Sequence, residues 1–400
     1  MEIPFRNMKQ QPIFVFFILS FFILLFSTSC SSTNKVSDAD TILYPWQQFV
    51  MGADLSYVNE IEDAGGKYFV NQQAKDVFHI FKENGCNNVR VRLWHTPTWK
   101  KEVAGGKMYS DLADVEKTIK RAKQAGMSVN LNLHYSDDWA DPNKQSLPAA
   151  WEGLPIEVLK DSVYNYTLSI LNYLHSKNLV PEMIQVGNEN NNGMLWPIGK
   201  VEWNREDNWK NFGDLINSGI RAVRDFSKTS NIKPQVIIHV AQLQYAPEWT
   251  ENITTLGGVK DFDILGLSHY YKWSTVHPMK EIGDTIRLLV NKYGKKVMVV
   301  EAAFPWTFEN ADTYNNLFGD ANELIGYEAT IQAQLEYMKK LTQTIISAGG
   351  DGIIYWEPAW ITSPMKDRWG AGSSWENAAL FDFKGNALPA IKFMGLKYDF

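Results

Sequence analysis

Eight short β-branched or apolar runs, each followed by a longer helical pattern, recur from about residue 50 onward. The first four are FVMGADLS ending at Ser56, NNVRVRLW ending at Trp94, SVNLNLHYS ending at Ser136 and MIQVGNE ending at Glu189. The others are PQVIIHV ending at Val240, FDILGLSHYY ending at Tyr271, KVMVVEAAF ending at Phe304 and GIIYWEPAW ending at Trp360. Such runs alternating with 3.6-period segments are the signature of βα units. Helical patterns cover 73–84, 112–125, 156–177, 209–229 and 327–348, and Asn84-Gly85, Ala125-Gly126 and Ala348-Gly349 supply stop signals before the next strand. Eight units predict an α/β fold, a closed parallel (β/α)8 TIM barrel, and no glycine-rich nucleotide loop follows the first strand to favour an open doubly wound sheet. No internal repeat interrupts the pattern. One catalytic domain is therefore expected over 42–400, with 191–208 and 305–326 as long βα loops.

The N-terminus does not belong to this pattern. Arg6 and Lys9 precede 12–26, PIFVFFILSFFILLF, an apolar stretch shorter than the ~20 residues a spanning helix needs. Ser27, Thr28, Ser29 and Cys30 follow. The arrangement resembles a bacterial lipoprotein signal, although Ser27 stands where leucine is usual; an ordinary cleaved signal is the alternative. The expectation is a signal over 1–30 with Cys30 lipidated, a polar tether over 31–41, and an exported chain held by its lipid at the outer membrane, on the cell surface or in the periplasm. Cys86 then remains without a partner, so the mature core holds no internal disulfide.

Within the runs, polar and charged residues gather at the C-terminal ends: Asp54, Arg90 and Arg92, His134, Asn188 and Glu189, His269 and Tyr270, Glu301, Trp356 and Glu357. One such residue reads as a barrel-closing ion pair. Polar ends on seven strands of eight read as an active site, which this fold carries on that face. The formal net charge of −6 leaves no basic face for a nucleic-acid partner. The 15 Trp suit a different ligand, since a flat π face meets the C–H face of a sugar ring as readily as it fills a core.

Glu189 closes strand four and Glu301 lies within strand seven, opposite sides of an eight-stranded barrel. Glycoside hydrolysis needs two facing carboxyls, one to protonate the leaving oxygen and one to attack the anomeric carbon, about 5–5.5 Å apart in a retaining enzyme. Glu301 follows the buried VMVV and is expected to be held ionised by Arg92 and the Tyr270 hydroxyl, which suits a nucleophile. Glu189 must carry a proton, and the field of Glu301 raises its pKa. Asn188 is suited to hold the sugar 2-hydroxyl. Taken singly, either glutamate reads as a buried ion pair or cap; their joint placement makes a catalytic pair.

Several segments resemble glycoside hydrolase family 53 of clan A, the endo-β-1,4-galactanases. They are GADLSYVNEIEDAG (52–65), VRVRLWHTPT (89–98), LNLHYSDDWADPNKQ (131–145), QVGNENNNGMLWP (185–197), DILGLSHYYKW (263–273), VVEAAFPWT (299–307) and GIIYWEPAWI (352–361). The resemblance implies a retaining barrel acting on β-1,4-galactan, with Glu189 as proton donor and Glu301 as nucleophile. Asp54, Arg92, His134, Asn188, Tyr270 and Trp356 would ring the site, and Trp94, Asp137, Trp139, Asp141, His269 and Trp360 would serve outer subsites or support. Other clan members acting on mannan, glucan or xylan, and a non-catalytic glycan-binding barrel, are the rival readings. No cofactor is required. Bacterial members often carry a calcium loop after strand seven, but here TFENADTYNNLFGDANE spaces Glu309, Asp312 and Asp320 irregularly and lacks histidine, so a solvated acidic loop is expected. A monomer is the default.

Overall fold

Alternation along each strand decides which side chains enter the barrel and which pack under the helices. The computed structural model describes residues 48–400 except 321–323 and 325, so the expected signal, Cys30 and the tether lie outside the described residues. The eight runs form β1 (Val50–Asp54), β2 (Asn88–Leu93), β3 (Ser128–Leu133), β4 (Met183–Val186), β5 (Gln235–Ala241), β6 (Ile264–Tyr270), β7 (Lys296–Ala303) and β8 (Gly352–Tyr355). Every neighbouring pair is parallel, and β8 pairs with β1 to close the barrel.

Three strands stop short of the sequence runs where the backbone turns left-handed past the ladder, at Tyr135 (φ 51°) after β3, Glu189 (φ 45°) after β4 and Glu357 (φ 44°) after β8, and Gln242 (φ 64°) turns the same way after β5. Side chains beyond those turns leave the sheet and line its mouth.

The connecting helices are α1 (Val58–Asp63), α2 (Val77–Glu83), α3 (Lys100–Val103), α4 (Leu112–Gln124), α5 (Ile156–Ser176), α6 (Trp209–Ser227), α7 (Ala246–Thr255), α8 (Met279–Tyr293) and α9 (Ile331–Ser347). Helix α2 begins later than the pattern suggests because Asp76 caps it, accepting from Phe78 N–H (2.9 Å) and His79 N–H (3.3 Å). Thr330 does the same for α9 through Ala333 N–H (3.1 Å). Helix α7, rich in threonine and opened by a proline in its first turn, gave little periodic signal.

Outward-facing Val89, Val91, Val129, Leu131 and Val299 join the helices in one large core. Inside the barrel a smaller apolar plug of Val50, Met183, Ile237, Ile264, Met298, Val300 and Ile354 fills the lower layers. Packing there is tight. A Cβ on Gly52 would lie 2.7 Å from Ile354 Cγ1, so any larger residue pushes β1 from β8. Cys86 is buried and unpaired, and burial pushes its thiol up to about 12, which makes it inert.

One irregularity matters for chemistry. Val300 belongs to the inner plug, so strict alternation would turn Glu301 outward into the helices. Between β6 and β7 the register steps from Leu267↔Val299 to Ser268↔Glu301, leaving Val300 as an extra residue. This bulge turns Glu301 back into the barrel.

Candidate active site

Strands β4 and β7 deliver one carboxylate each to the mouth. After β4 the chain turns through Gly187 (φ 83°) and Glu189 (φ 45°). A Cβ on Gly187 would sit 2.2 Å from Asn190 Oδ1, so only glycine fits the start of this turn. A glutamate in the left-handed region stores roughly 1–3 kcal/mol of strain, a feature that gathers at functional sites. Here the Glu189 N–H donates to His239 Nδ1 (3.1 Å), which holds the conformation.

Carboxylate oxygens of Glu189 and Glu301 lie within 4.8 Å of each other. That matches the short separation of a double-displacement pair and falls well below the about 6.5–9.5 Å that leaves room for an attacking water. Their surroundings differ. Glu301 is 5% exposed; its Oε1 meets Arg90 Nη2 at 2.7 Å and its Oε2 accepts from the Tyr270 hydroxyl at 2.8 Å. Burial pushes its carboxyl up, and Arg90 and Tyr270 pull back. Among the described residues no cation contacts Glu189. Burial, then the charge of Glu301, push it well above the usual carboxylate range against one hydrogen bond from Ser268 Oγ (2.6 Å). Glu301 therefore ionises first and Glu189 keeps the proton.

The guanidinium on Glu301 is Arg90, where the sequence reading placed Arg92. Both alternate inward along β2, and Arg90 sits one pleat deeper. Asp54 Oδ2 accepts from Arg90 Nη1 (2.8 Å), and Arg90 Nη2 also donates to Asn188 Oδ1 (2.9 Å). Arg92 reaches Glu357 after β8 instead (3.0 Å) and lies over the rings of Tyr57, Trp94 and Trp139 at 4.2–4.6 Å. Asn188 is held by Arg90, by Asn132 Nδ2 (2.9 Å) and by its own donation to Ala140 O (2.8 Å), leaving one amide hydrogen for a sugar hydroxyl. His134 accepts from Ala140 N–H at Nδ1 (3.2 Å), and burial, then Arg92, keep it neutral.

The mouth opens into a cleft of about 860 Å³. Of the residues expected there, Asp54, Arg92, His134, Asn188, Tyr270, Trp139, Asp141, Trp356 and Trp360 line it beside the two glutamates. Three lie elsewhere. His269 is fully buried with Nε2 3.2 Å from Tyr337 Oη on α9, because alternation that sends Ser268 and Tyr270 inward sends it outward. Trp94 is fully buried beneath Arg92 and packs on Trp99 and Trp139. Asp137 ties two loops together by accepting from Thr96 N–H (2.9 Å) and Ala149 N–H (2.8 Å).

The structure adds His239 and Ser268 behind Glu189, and Trp203, Tyr245, Trp273, Trp369 and Trp375 along the walls. Tyr245 and Trp369 are each 47% exposed and Trp273 is 40% exposed, open faces suited to sugar stacking. A histidine inside the apolar run PQVIIHV was the available signal for His239; the wall aromatics sit in loops whose paths no periodicity reveals.

Glu189, His239 and Glu301 are close enough to suggest a metal, but both nitrogens of His239 are already hydrogen-bonded. The loop after β7 differs from the expected solvated acidic one. Glu309 and Asp320 are exposed, while Asp312 turns in beside Glu376 from the segment after β8. Glu376 Oε2 and Asn316 Oδ1 are buried without a partner, and burial, with Asp312 adding to it, pushes Glu376 up to about 8. Hard oxygen donors of this kind fit calcium. Asp312, Asn316 and Glu376 would hold it, clamping the two loops together.

The family model described as glycosyl hydrolase family 53 matches residues 50–394, the whole barrel. An arabinogalactan endo-β-1,4-galactanase of Cellvibrio japonicus is 44% identical over 354 residues, 88% of this chain and 92% of that protein. An endo-β-1,4-galactanase of Bacillus subtilis is 31% identical over 383 residues, covering 86% and 85%. Among solved structures, the GH53 catalytic domain of Ignisphaera aggregans superposes with a TM-score of 0.80 at 36% identity, covering 89% of this chain and 98% of that one. The opposed glutamates therefore sit in a known setting: the chain belongs to glycosyl hydrolase family 53.

Proposed function

We propose that the protein is a retaining endo-β-1,4-galactanase cleaving the β-1,4-galactosidic bonds of galactan and arabinogalactan. The observation that carries this reading is the carboxylate pair within 4.8 Å, one member held by Arg90 and Tyr270 and the other, among the described residues, without a contacting cation. In the first step a Glu301 oxygen attacks the anomeric carbon from one face as the bond to the leaving oxygen breaks, and Glu189 gives that oxygen its proton. The galactosyl ester neutralises Glu301, so Glu189, now a carboxylate, becomes the base. It takes a proton from water as that water attacks the same carbon, and Glu301 leaves as a carboxylate. The named relatives support galactan as substrate, and the aromatic cleft walls suit a neutral sugar chain.

The test is incubation of the mature chain with β-1,4-galactan, β-1,4-mannan, a soluble cellulose derivative and xylan, following reducing ends and product size. Release from galactan alone is expected; release from mannan or xylan and not galactan refutes the substrate. Glu301→Gln is expected to abolish turnover while keeping galactan bound.

Arg6, Lys9, the apolar stretch 12–26 and Cys30 support a second element, a lipid anchor at Cys30 that holds the barrel at the outer membrane, in the periplasm or on the cell surface. Metabolic labelling with a fatty acid is expected to mark the chain, and Cys30→Ser to remove the label and release soluble protein.

A further inference from the structure

A line of hydrogen bonds runs from the counter-ion of the nucleophile to the acid, and each link has one possible direction. Arg90 can only donate, and its Nε–H points at Gln185 Oε1 (3.2 Å), which fixes that amide's orientation. Gln185 Nε2 must then donate, and its two hydrogens are shared among Asn132 Oδ1 (2.8 Å), Gly187 O (3.0 Å), Asn188 Oδ1 (3.2 Å) and His239 Nδ1 (3.0 Å). The Glu189 N–H, a second obligate donor, meets the same nitrogen at 3.1 Å. Nδ1 is thus the lone-pair nitrogen. Burial and the charge of Arg90 keep His239 neutral, so its one hydrogen lies on Nε2 and faces Ser268 Oγ at 2.9 Å. The serine oxygen is occupied as an acceptor, and its own hydrogen goes to Glu189 Oε1 at 2.6 Å. His239 and Ser268 are both fully buried, so water does not compete.

We infer that Ser268 and His239 are positioning residues for the acid/base step: they keep Oε1 of Glu189 a hydrogen-bond acceptor in every state, so the proton given to the leaving oxygen is always carried by Oε2. This deepens the galactanase reading and rests on it. The chain needs no reorientation between steps, because its polarity is set at His239 Nδ1 by the Glu189 N–H, a donor in every protonation state of the side chain. When Glu189 has lost its proton, the Ser268 bond steadies the carboxylate that must next activate water. The other groups facing Glu189 are Glu301 from β7, Tyr270 from β6, Arg90 from β2 and Asp141 from the loop after β3. None of these pairs with Oε1.

Ser268→Ala removes one hydroxyl from the buried chain. Oε1 becomes free to carry the proton in an unproductive place, and the carboxylate loses its donor. On galactan, whose leaving group needs protonation, kcat/KM is expected to fall on the order of 10-fold, a fraction of what general acid catalysis supplies. On a dinitrophenyl β-galactoside, whose leaving group needs no proton, kcat/KM is expected to change by less than about threefold. The basic limb of the pH profile on galactan should move to higher pH, because Glu189 holds its proton longer without the donor.

His239→Gln keeps an acceptor and a donor in the same order and is expected to restore most of the galactan rate that His239→Leu loses. An equal loss on both substrates, an unmoved basic limb, or no difference between the glutamine and leucine variants would each overturn the assignment. Wild-type release of oligosaccharides from galactan, run alongside, separates these failures from failure of the galactanase reading itself.

Discussion

The correction from Arg92 to Arg90 can be tested on stability and activity together. Arg90 is 1% exposed and meets Glu301 at 2.7 Å and Asp54 at 2.8 Å. At an effective dielectric of about 20, each contact at these distances carries about 6 kcal/mol of attraction before desolvation is subtracted. Most of that offsets the cost of burying the charges. What remains measurable is the penalty for leaving two carboxylates without their cation, about 3–5 kcal/mol when one member of a buried pair is removed. Arg90→Met is therefore expected to lose about that much unfolding free energy in urea at pH 7. The deficit should shrink at acid pH, where Glu301, whose carboxyl burial already pushes up, takes up a proton and the missing cation matters less.

Activity supplies the second readout. Without Arg90 nothing charged opposes the burial of Glu301, so the acid limb of kcat/KM should move to higher pH. The rate at its optimum is expected to fall about 100- to 1000-fold, the scale for losing one preorganised charge-stabilising group. Arg92→Met is the control. It strips Glu357 of the cation it pairs with and so also destabilises the barrel, but it leaves the contacts of Glu301 in place and should not move the acid limb. An unshifted limb in Arg90→Met, or an equal shift in both variants, refutes the electrostatic assignment.

Other expectations follow from the same geometry. Because Glu189 has its folded-state pKa raised, its contribution to stability is full below the ordinary carboxylate range and is lost as pH rises through the folded value. Glu189→Gln should thus melt like the wild type near pH 4 and at a higher temperature at pH 8; a gap that does not widen with pH counts against the raised value. Trp369→Ala should weaken galactan binding by about 1–3 kcal/mol with an unchanged melting temperature, since the ring is 47% exposed on the cleft wall. The buried Trp94→Ala should instead cost about 3–5 kcal/mol of stability. Millimolar calcium should raise the melting temperature of the wild type and leave that of Glu376→Gln unchanged; no effect on the wild type would show that Asp312, Asn316 and Glu376 hold no ion.

How much of this was legible beforehand depends on which physical rule placed each residue. The eight strands and their order followed from hydrophobic periodicity, and the active face followed from polar strand ends, because burying charge elsewhere in such runs is too costly. Strict alternation also carries Ser268 and Tyr270 inward and His269 outward on β6, so the sequence itself separates His269 from the cleft and leaves it only a supporting place against α9. Glu301 is different. Its inward direction depends on the extra residue Val300 in β7, and nothing in VMVVEAAF announces that bulge. Arg90 and Arg92 show a third limit. Both satisfy the inward pattern, and only the depth of each along β2, set by barrel stagger and by which acid stands opposite, assigns one to Glu301 and the other to Glu357. The wall aromatics and the Asp312–Glu376 contact lie further still from sequence rules, since they join loops that meet only once the barrel has closed. Sequence periodicity thus fixes which face of a strand is available, while strand stagger and loop closure choose the partner. The Ser268–His239 chain needs both: inward alternation on β5 and β6, and a register that stacks the two residues beneath a glutamate on β4.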